Sequence, residues 1–167
     1  MATPTNSPTS QKVGFDSPEQ EVFLQLWRTY DCLKTLEEQL FAQHDLSPQQ
    51  YNALRLLQQV APAGMQTMEL GRQLISRAPD TTRMLDRLQK RGLVARNRRA
   101  ENRRVVEIAL TEAGHALLAE LSGSVLQMHH QQLGHLDASQ RGDLIDLLKR
   151  ARRPHEDSSC DWLEDGT

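Results

Sequence analysis

Residues 82–114 read "TRMLDRLQKRGLVARNRRAENRRVVEIALTEAG", and the order of patterns within them decides the fold. Met84, Leu85 and Leu88 recur at helical spacing up to Arg91. Gly92 then stands where a helix needs a left-handed residue to stop. Beyond it the period changes. "GLVARN" and "RRVVEIAL" are short segments with β-branched residues, separated by a polar, arginine-rich connection, which predicts a β-hairpin over residues 93–110. Thr111 is placed to cap a new helix. The same region carries an unusual charge. Residues 72–104 hold 11 of the chain's 20 Lys and Arg but only 3 of its 22 acids, a local net of +8 in a chain whose formal charge is −2.

Working upstream, Pro79 suits the first turn of the helix that ends at Gly92. Before it, Thr67 is expected to cap a short helix through Leu70, Leu74 and Ile75, reached by an extended link at Met65. "SPQQ" at 47–50 combines an N-cap serine, a first-turn proline and a capping-box glutamine. It starts a helix with Tyr51, Leu54, Leu57 and Val60 on one side. "SPEQ" at 17–20 carries the same signal, with Ser17 as cap and Gln20 completing a box. The helix it opens is long, with Val22, Phe23, Leu26, Trp27, Tyr30, Leu33, Leu36 and Leu40 along one stripe. Downstream of the hairpin, Leu117, Leu118, Leu121, Val125 and Met128 mark another long helix. Asp137 and Gln140 form the box of a last one, with Leu144, Ile145, Leu147 and Leu148 on its apolar side.

The expected fold is therefore mainly α with a small β-hairpin: a winged helix-turn-helix with flanking N- and C-terminal dimerisation helices. The expected organisation is a disordered tail at 1–16, a domain at 17–153 and an acidic tail at 154–167. Within the domain, helices at 17–44 and 111–152 are assigned to dimerisation and about 47–110 to DNA binding. The stripes on the flanking helices lack basic clusters and need a partner, most simply a second copy.

The remaining composition excludes more than it assigns. No apolar run reaches the ~18 to 20 residues that span a bilayer, and the N-terminus lacks the pattern of a secretory signal, so no membrane association and a cytoplasmic location are expected. Cys32 and Cys160 are far apart and make neither a disulfide framework nor a zinc spacing. His129, His130 and His135 miss the i,i+4 spacing of a helical metal pair. No nucleophile elbow, phosphate loop or zinc-protease motif is present. Neither an enzyme nor a metal or other cofactor is expected. Residues 154–167 contain five acids and no Lys or Arg, masking a body of net +3.

Three segments carry a family resemblance: "LSPQQYNALRLL" (46–57), "TRMLDRLQKRGLV" (82–94) and "NRRVVEIALTEAG" (102–114). In order and spacing the chain resembles the MarR family of bacterial transcription regulators over roughly residues 20–152. One departure is Asn102, where the family usually has an aspartate at the wing tip that supports the wing arginine. Neighbouring Glu101 is available for that role.

The physical reading of the arginines agrees with the resemblance. Lys and Arg that neutralise phosphates of duplex DNA release counterions, and the N-terminal turn of the second helix of a helix-turn-helix reaches base edges. That turn supplies Asp80, Thr81 and Arg83, with Pro79 able to touch a thymine methyl and Thr82 placed to anchor a backbone phosphate or the turn itself. On the hairpin, Arg96, Arg98, Arg99, Arg103 and Arg104 fall within nine residues. Alternate strand residues face opposite ways, so Arg98, Arg99 and Arg103 at the tip are the ones expected to reach DNA.

Further expectations come from the resemblance. It makes Arg104 the wing arginine and Asp86 its partner in an ion pair joining wing to helix. It implies a homodimer on a pseudo-palindromic operator, acting as a repressor. It also implies release by a small aromatic or anionic effector, for which Trp27, Tyr30 and His44 are candidate pocket residues. The alternatives are a cysteine- or metal-responsive regulator of the same fold, or a winged-helix protein-interaction module. The last would not need five arginines on its hairpin.

Overall fold

A computed structural model of the 167-residue chain describes residues 14–75, 81–98 and 106–156. Its elements are α1 (Pro18–Ala42), α2 (Pro48–Gln59), β1 (Met65–Gln66), α3 (Thr67–Gln73), α4 (Thr81–Lys90), β2 (Val94–Arg98), β3 (Val106–Leu110), α5 (Glu112–Leu133) and α6 (Ala138–Arg152), followed by a 3₁₀ turn, Arg153–His155. The chain divides into two compact units, Met1–Thr35 and Leu36–Thr167.

The first unit holds most of α1. Ser17 Oγ accepts from Gln20 N at 3.2 Å, as a cap should. The expected box is shifted by one residue, however: the Gln20 side chain accepts from Asp16 N and donates to the Asp16 carboxylate. Every residue from 21 to 32 is exposed. Val22, Phe23, Trp27 and Tyr30 are each more than half exposed.

In the second unit, α2 begins with the complete box that "SPQQ" predicts. Ser47 Oγ accepts from Gln50 N, and Gln50 Oε1 accepts from Ser47 N. Leu54 and Leu57 of α2 are fully buried, packed in one cluster with Phe41, Leu70, Leu85, Leu88, Ile108 and Leu121. Burying each such side chain is worth about 1.5–3 kcal/mol relative to exposure. Asp137 and Gln140 form the expected box on α6. Ile145 and Leu147 are more than half exposed, and α6 contains no buried residue.

The sheet has a strand that the sequence reading treated as a link. Met65 and Gln66 pair antiparallel with Ile108 and Glu107, giving three strands in the order β1-β3-β2. Two residues are too few to show a period. β2 and β3 pair in a continuous antiparallel register from Val94–Leu110 to Arg98–Val106. The α3 cap also differs. Gln66 is the N-cap, without a side-chain hydrogen bond, and Thr67 is the first helical residue.

α1 and α4 end in the same way. At α4, Leu93 N donates to Leu88 O and Gly92 N to Gln89 O, with Gly92 at φ +70°. At α1, Leu46 N donates to Phe41 O and Asp45 N to Ala42 O, with Asp45 at φ +52°. These paired bonds satisfy carbonyls that a helix end leaves orphaned. Asp45 holds the left-handed position without being glycine.

α5 opens against the first of these stops. Thr111 N donates to Leu93 O at 3.2 Å, and Thr111 Oγ1 accepts from Gly114 N at 3.1 Å while donating to Gly92 O at 2.6 Å. Gly114 fits because it lacks a side chain: a Cβ there would lie 2.3 Å from Leu93 O.

Candidate nucleic-acid interface

α3, α4 and the β2–β3 pair hold the elements that the basic stretch occupies. α4 buries Met84, Leu85 and Leu88. Its N-terminus lies near α3, since a side chain added at Gly71 would meet Thr81 Oγ1 at 3.9 Å. The opposite side presents Thr82, Arg83, Arg87, Gln89 and Lys90, all exposed, with Thr81 and Asp86 half-buried. Arg83, Arg87 and Lys90 recur at intervals of four and three, which sets them along one edge of the helix. The sequence reading singled out Arg83 but not Arg87 or Lys90, although that spacing was visible.

The described partner of Asp86 is Arg96. Its Nη2 lies 2.6 Å from Asp86 Oδ1, with both side chains partly exposed. The pair joins α4 to β2 and offsets a carboxylate that would otherwise repel phosphates. The expected partner, Arg104, lies outside the described residues, as do Pro79, Asp80, Arg99 and Arg103. The Arg98 backbone pairs with Val106 at the end of β2; its side chain is likewise outside them. Arg96 was counted among the five hairpin arginines but given no role.

A second basic residue turns away from the exposed edge. Arg91, just past α4, donates through Nη1 to Asp45 O at 2.5 Å and through Nη2 to His44 O at 2.9 Å.

Of the residues proposed for an effector pocket, Trp27 and Tyr30 fall in the first unit and His44 in the second. Trp27 and Tyr30 are exposed in the first unit, where Trp27 packs against Phe23 with centroids 6.1 Å apart and Lys34 lies over the Tyr30 ring. Lys34 also pairs with Asp31 at 2.9 Å, and its hydrogen bond and charge hold that carboxyl below its ordinary range. His44 is in the second unit, half-buried, with Nδ1 3.7 Å from Glu120 Oε1. The second unit has a groove of about 260 Å³ between α1 and α5, flanked by Gln39, Gln43, Gln127 and Gln131.

Cys32 is exposed. His129 Nδ1 is 2.8 Å from Gln132 Oε1 on its own helix. Among the described residues, no group of three or more His, Cys, Asp or Glu is arranged to hold a metal ion, and no helix is long and apolar enough to cross a membrane.

Comparison with known proteins decides what this arrangement belongs to. The sequence profile of the MarR family matches residues 46–106. The crystal structure of a MarR transcription factor from Planctomyces limnophilus is 54% identical, with a TM-score of 0.64, over 82% of this chain and 99% of that one. The chain belongs to the MarR family. The transcriptional repressor MprA of Escherichia coli K12 is 27% identical over 137 residues, which is 81% of this chain and 78% of that protein. Sco3205, a MarR family transcriptional regulator from Streptomyces coelicolor solved in complex with DNA, shares the fold. Its TM-score is 0.76 at 19% identity, over 92% of this chain and 99% of that one. The three-stranded sheet with its surrounding helices is thus the MarR winged helix, and the protein is a MarR-family transcription regulator.

Proposed function

We propose that this MarR-family regulator binds double-stranded DNA sequence-specifically as a homodimer, represses by occluding a promoter in the bacterial cytoplasm, and is released by a small-molecule effector. The observation that carries the DNA reading is α4. It buries one side and presents Arg83, Arg87 and Lys90 along the other, braced to β2 through Asp86 and Arg96. A helix of ordinary diameter fits the major groove. The N-terminal turn, with Pro79, Asp80, Thr81, Thr82 and Arg83, is assigned to bases and adjacent phosphates. Arg98, Arg99, Arg103 and Arg104 of the wing are assigned to the neighbouring groove, where arginine reads shape more than sequence.

The exposed apolar stripes of α1 and α6 support the homodimer. Two winged helices related by a two-fold axis would read half-sites about 34–36 Å apart, hence a pseudo-palindromic operator. Family resemblance alone supports an effector, aromatic or anionic, and Trp27, Tyr30 and His44 stay proposals for its site. The tails at 1–16 and 154–167 are assigned outside the working domain.

The test is a titration against the protein's own upstream intergenic DNA and a scrambled duplex at two salt concentrations, beside Arg83→Ala and Arg103→Ala. Tight, salt-sensitive binding to the intergenic duplex, weakened in both variants, is the expected result. No binding to either duplex at low salt would end the DNA reading.

A further inference from the structure

Arg91 sits within the basic stretch, yet its geometry sets it apart from a phosphate contact. Two helix stops of the same design lie next to each other here, one ending α1 at Asp45 and one ending α4 at Gly92. Arg91 immediately precedes Gly92, so its backbone is fixed by the second stop. Its guanidinium spans to the first, with one nitrogen on Asp45 O and the other on His44 O. Those carbonyls lie at the C-terminal end of α1, where the helix dipole is negative and a cation is favoured. They belong to the one described non-glycine residue at positive φ and the residue before it. The planar guanidinium offers two parallel donors in a fixed fork, which an ammonium group cannot reproduce. His44 at the same corner has its ring 3.7 Å from Glu120 of α5.

We infer that Arg91 is a positioning residue for the reading helix: its fork pins the C-terminal end of α4 to the α1–α2 corner and so sets the depth at which α4 meets DNA. The inference rests on the DNA-binding reading above. Core packing through Met84, Leu85 and Leu88 holds the inner side of α4, but packing alone permits small rotations. Base-edge hydrogen bonds tolerate only a few tenths of an ångström. Loss of the pin therefore costs sequence recognition, while contacts to phosphate, which are longer-ranged and less directional, survive. Arg91 and Arg96 are then arginines of the stretch whose guanidinium groups serve the protein's own geometry.

The experiment compares wild type, Arg91→Ala and Arg91→Lys on two duplexes: one selected by the wild-type protein from a random-sequence pool, and a scrambled version of it. Affinity is measured over a range of salt, and melting is recorded for each protein. The expected result is that both variants bind the selected duplex about tenfold more weakly. Their binding to the scrambled duplex and their salt slope should match wild type. A phosphate contact predicts otherwise: Arg91→Ala would lower the salt slope by about 0.9, and Arg91→Lys would restore binding. That outcome overturns the inference. So does wild-type affinity in both variants with only a lower melting temperature, which would make the fork a purely structural tie. Failure of the wild type to select any sequence would bring down the sequence-specific reading itself, and is seen before any variant is made.

Discussion

Gly114 and Gly123 lie on the same helix, and the same substitution should move stability in opposite directions at the two. A Cβ at Gly114 would meet Leu93 O at 2.3 Å and Leu110 Cδ2 at 2.8 Å. Ordinary contact begins near 3.4 Å, so α5 must withdraw from Leu93 and Leu110 by about 1 Å to relieve overpacking of this kind, which costs about 1–3 kcal/mol. That movement also loosens the Thr111 cap, which bonds both Gly114 N and Gly92 O and is worth about 1 kcal/mol. The gain in helix propensity from glycine to alanine returns about 1 kcal/mol at most. The net loss is about 1–3 kcal/mol, or about 2–12 °C in melting temperature for a chain of this size. At Gly123 nothing lies within 4 Å of the added Cβ. Only the propensity term acts there, raising the melting temperature by about 2–4 °C. Circular dichroism melts at one fixed protomer concentration test both, because assembly makes melting concentration-dependent. A Gly114→Ala protein melting at or above wild type would refute the steric argument. A fall in both variants would show that something other than the Leu93 carbonyl restricts α5.

Other changes separate the remaining contributions. Burial holds the Glu37 carboxyl above its ordinary range, opposed by the charge of His129 and aided by Glu38. A raised folded pKa means stability that is full below the ordinary pKa and lost as pH rises through the folded one. Glu37→Gln should therefore be more stable than wild type at neutral pH and match it in acid; denaturant titrations at several pH values that show no such convergence count against the assignment. On the proposed homodimer, Ile145→Asp puts a charge on the exposed stripe of α6 and should shift the protein toward a single 19.0 kDa chain in light scattering; an unchanged assembly would remove α6 from the proposed interface. Asp86→Asn breaks the pair to Arg96, and because both side chains are partly exposed it should cost less than about 1 kcal/mol of stability. The same change should weaken DNA binding measured by anisotropy, and a variant that binds like wild type would leave the brace without a function.

Elements with local start and stop chemistry were legible in the sequence. Ser47 with Gln50, Asp137 with Gln140, Thr111 and Gly92 mark boundaries that the structure keeps, because each cap is made within a few residues of chain. Features made across the chain were not legible. β1 exists only because Met65 and Gln66 find Ile108 and Glu107, more than forty residues on. The fork of Arg91 reaches back 46 and 47 residues. A run of arginines shows charge but not direction, so Arg96, which bonds inward to Asp86, looked like its neighbours. The division of the chain within α1 was equally hidden. Periodicity marks Val22 through Leu40 as one stripe, whereas the chain divides after Thr35, and Leu36 and Leu40 pack on the core of the second unit.

The place of β2 in the sheet gives its charges a second consequence. Among the described residues, β3 is flanked on both sides, whereas β2 is an outer strand with one row of backbone donors and acceptors outside the sheet. Such a row templates pairing with any other strand, and proteins commonly block it with charge. The charges that the sequence places at 96 and 98 disfavour pairing with the equivalent strand of a second molecule, so charge that would suit this wing to a polyanion would also keep it from joining its own kind. Neutralising them to probe recognition removes that repulsion as well. Lysine replacements, which keep the charge while changing the geometry, are the substitutions that would separate altered recognition from self-association.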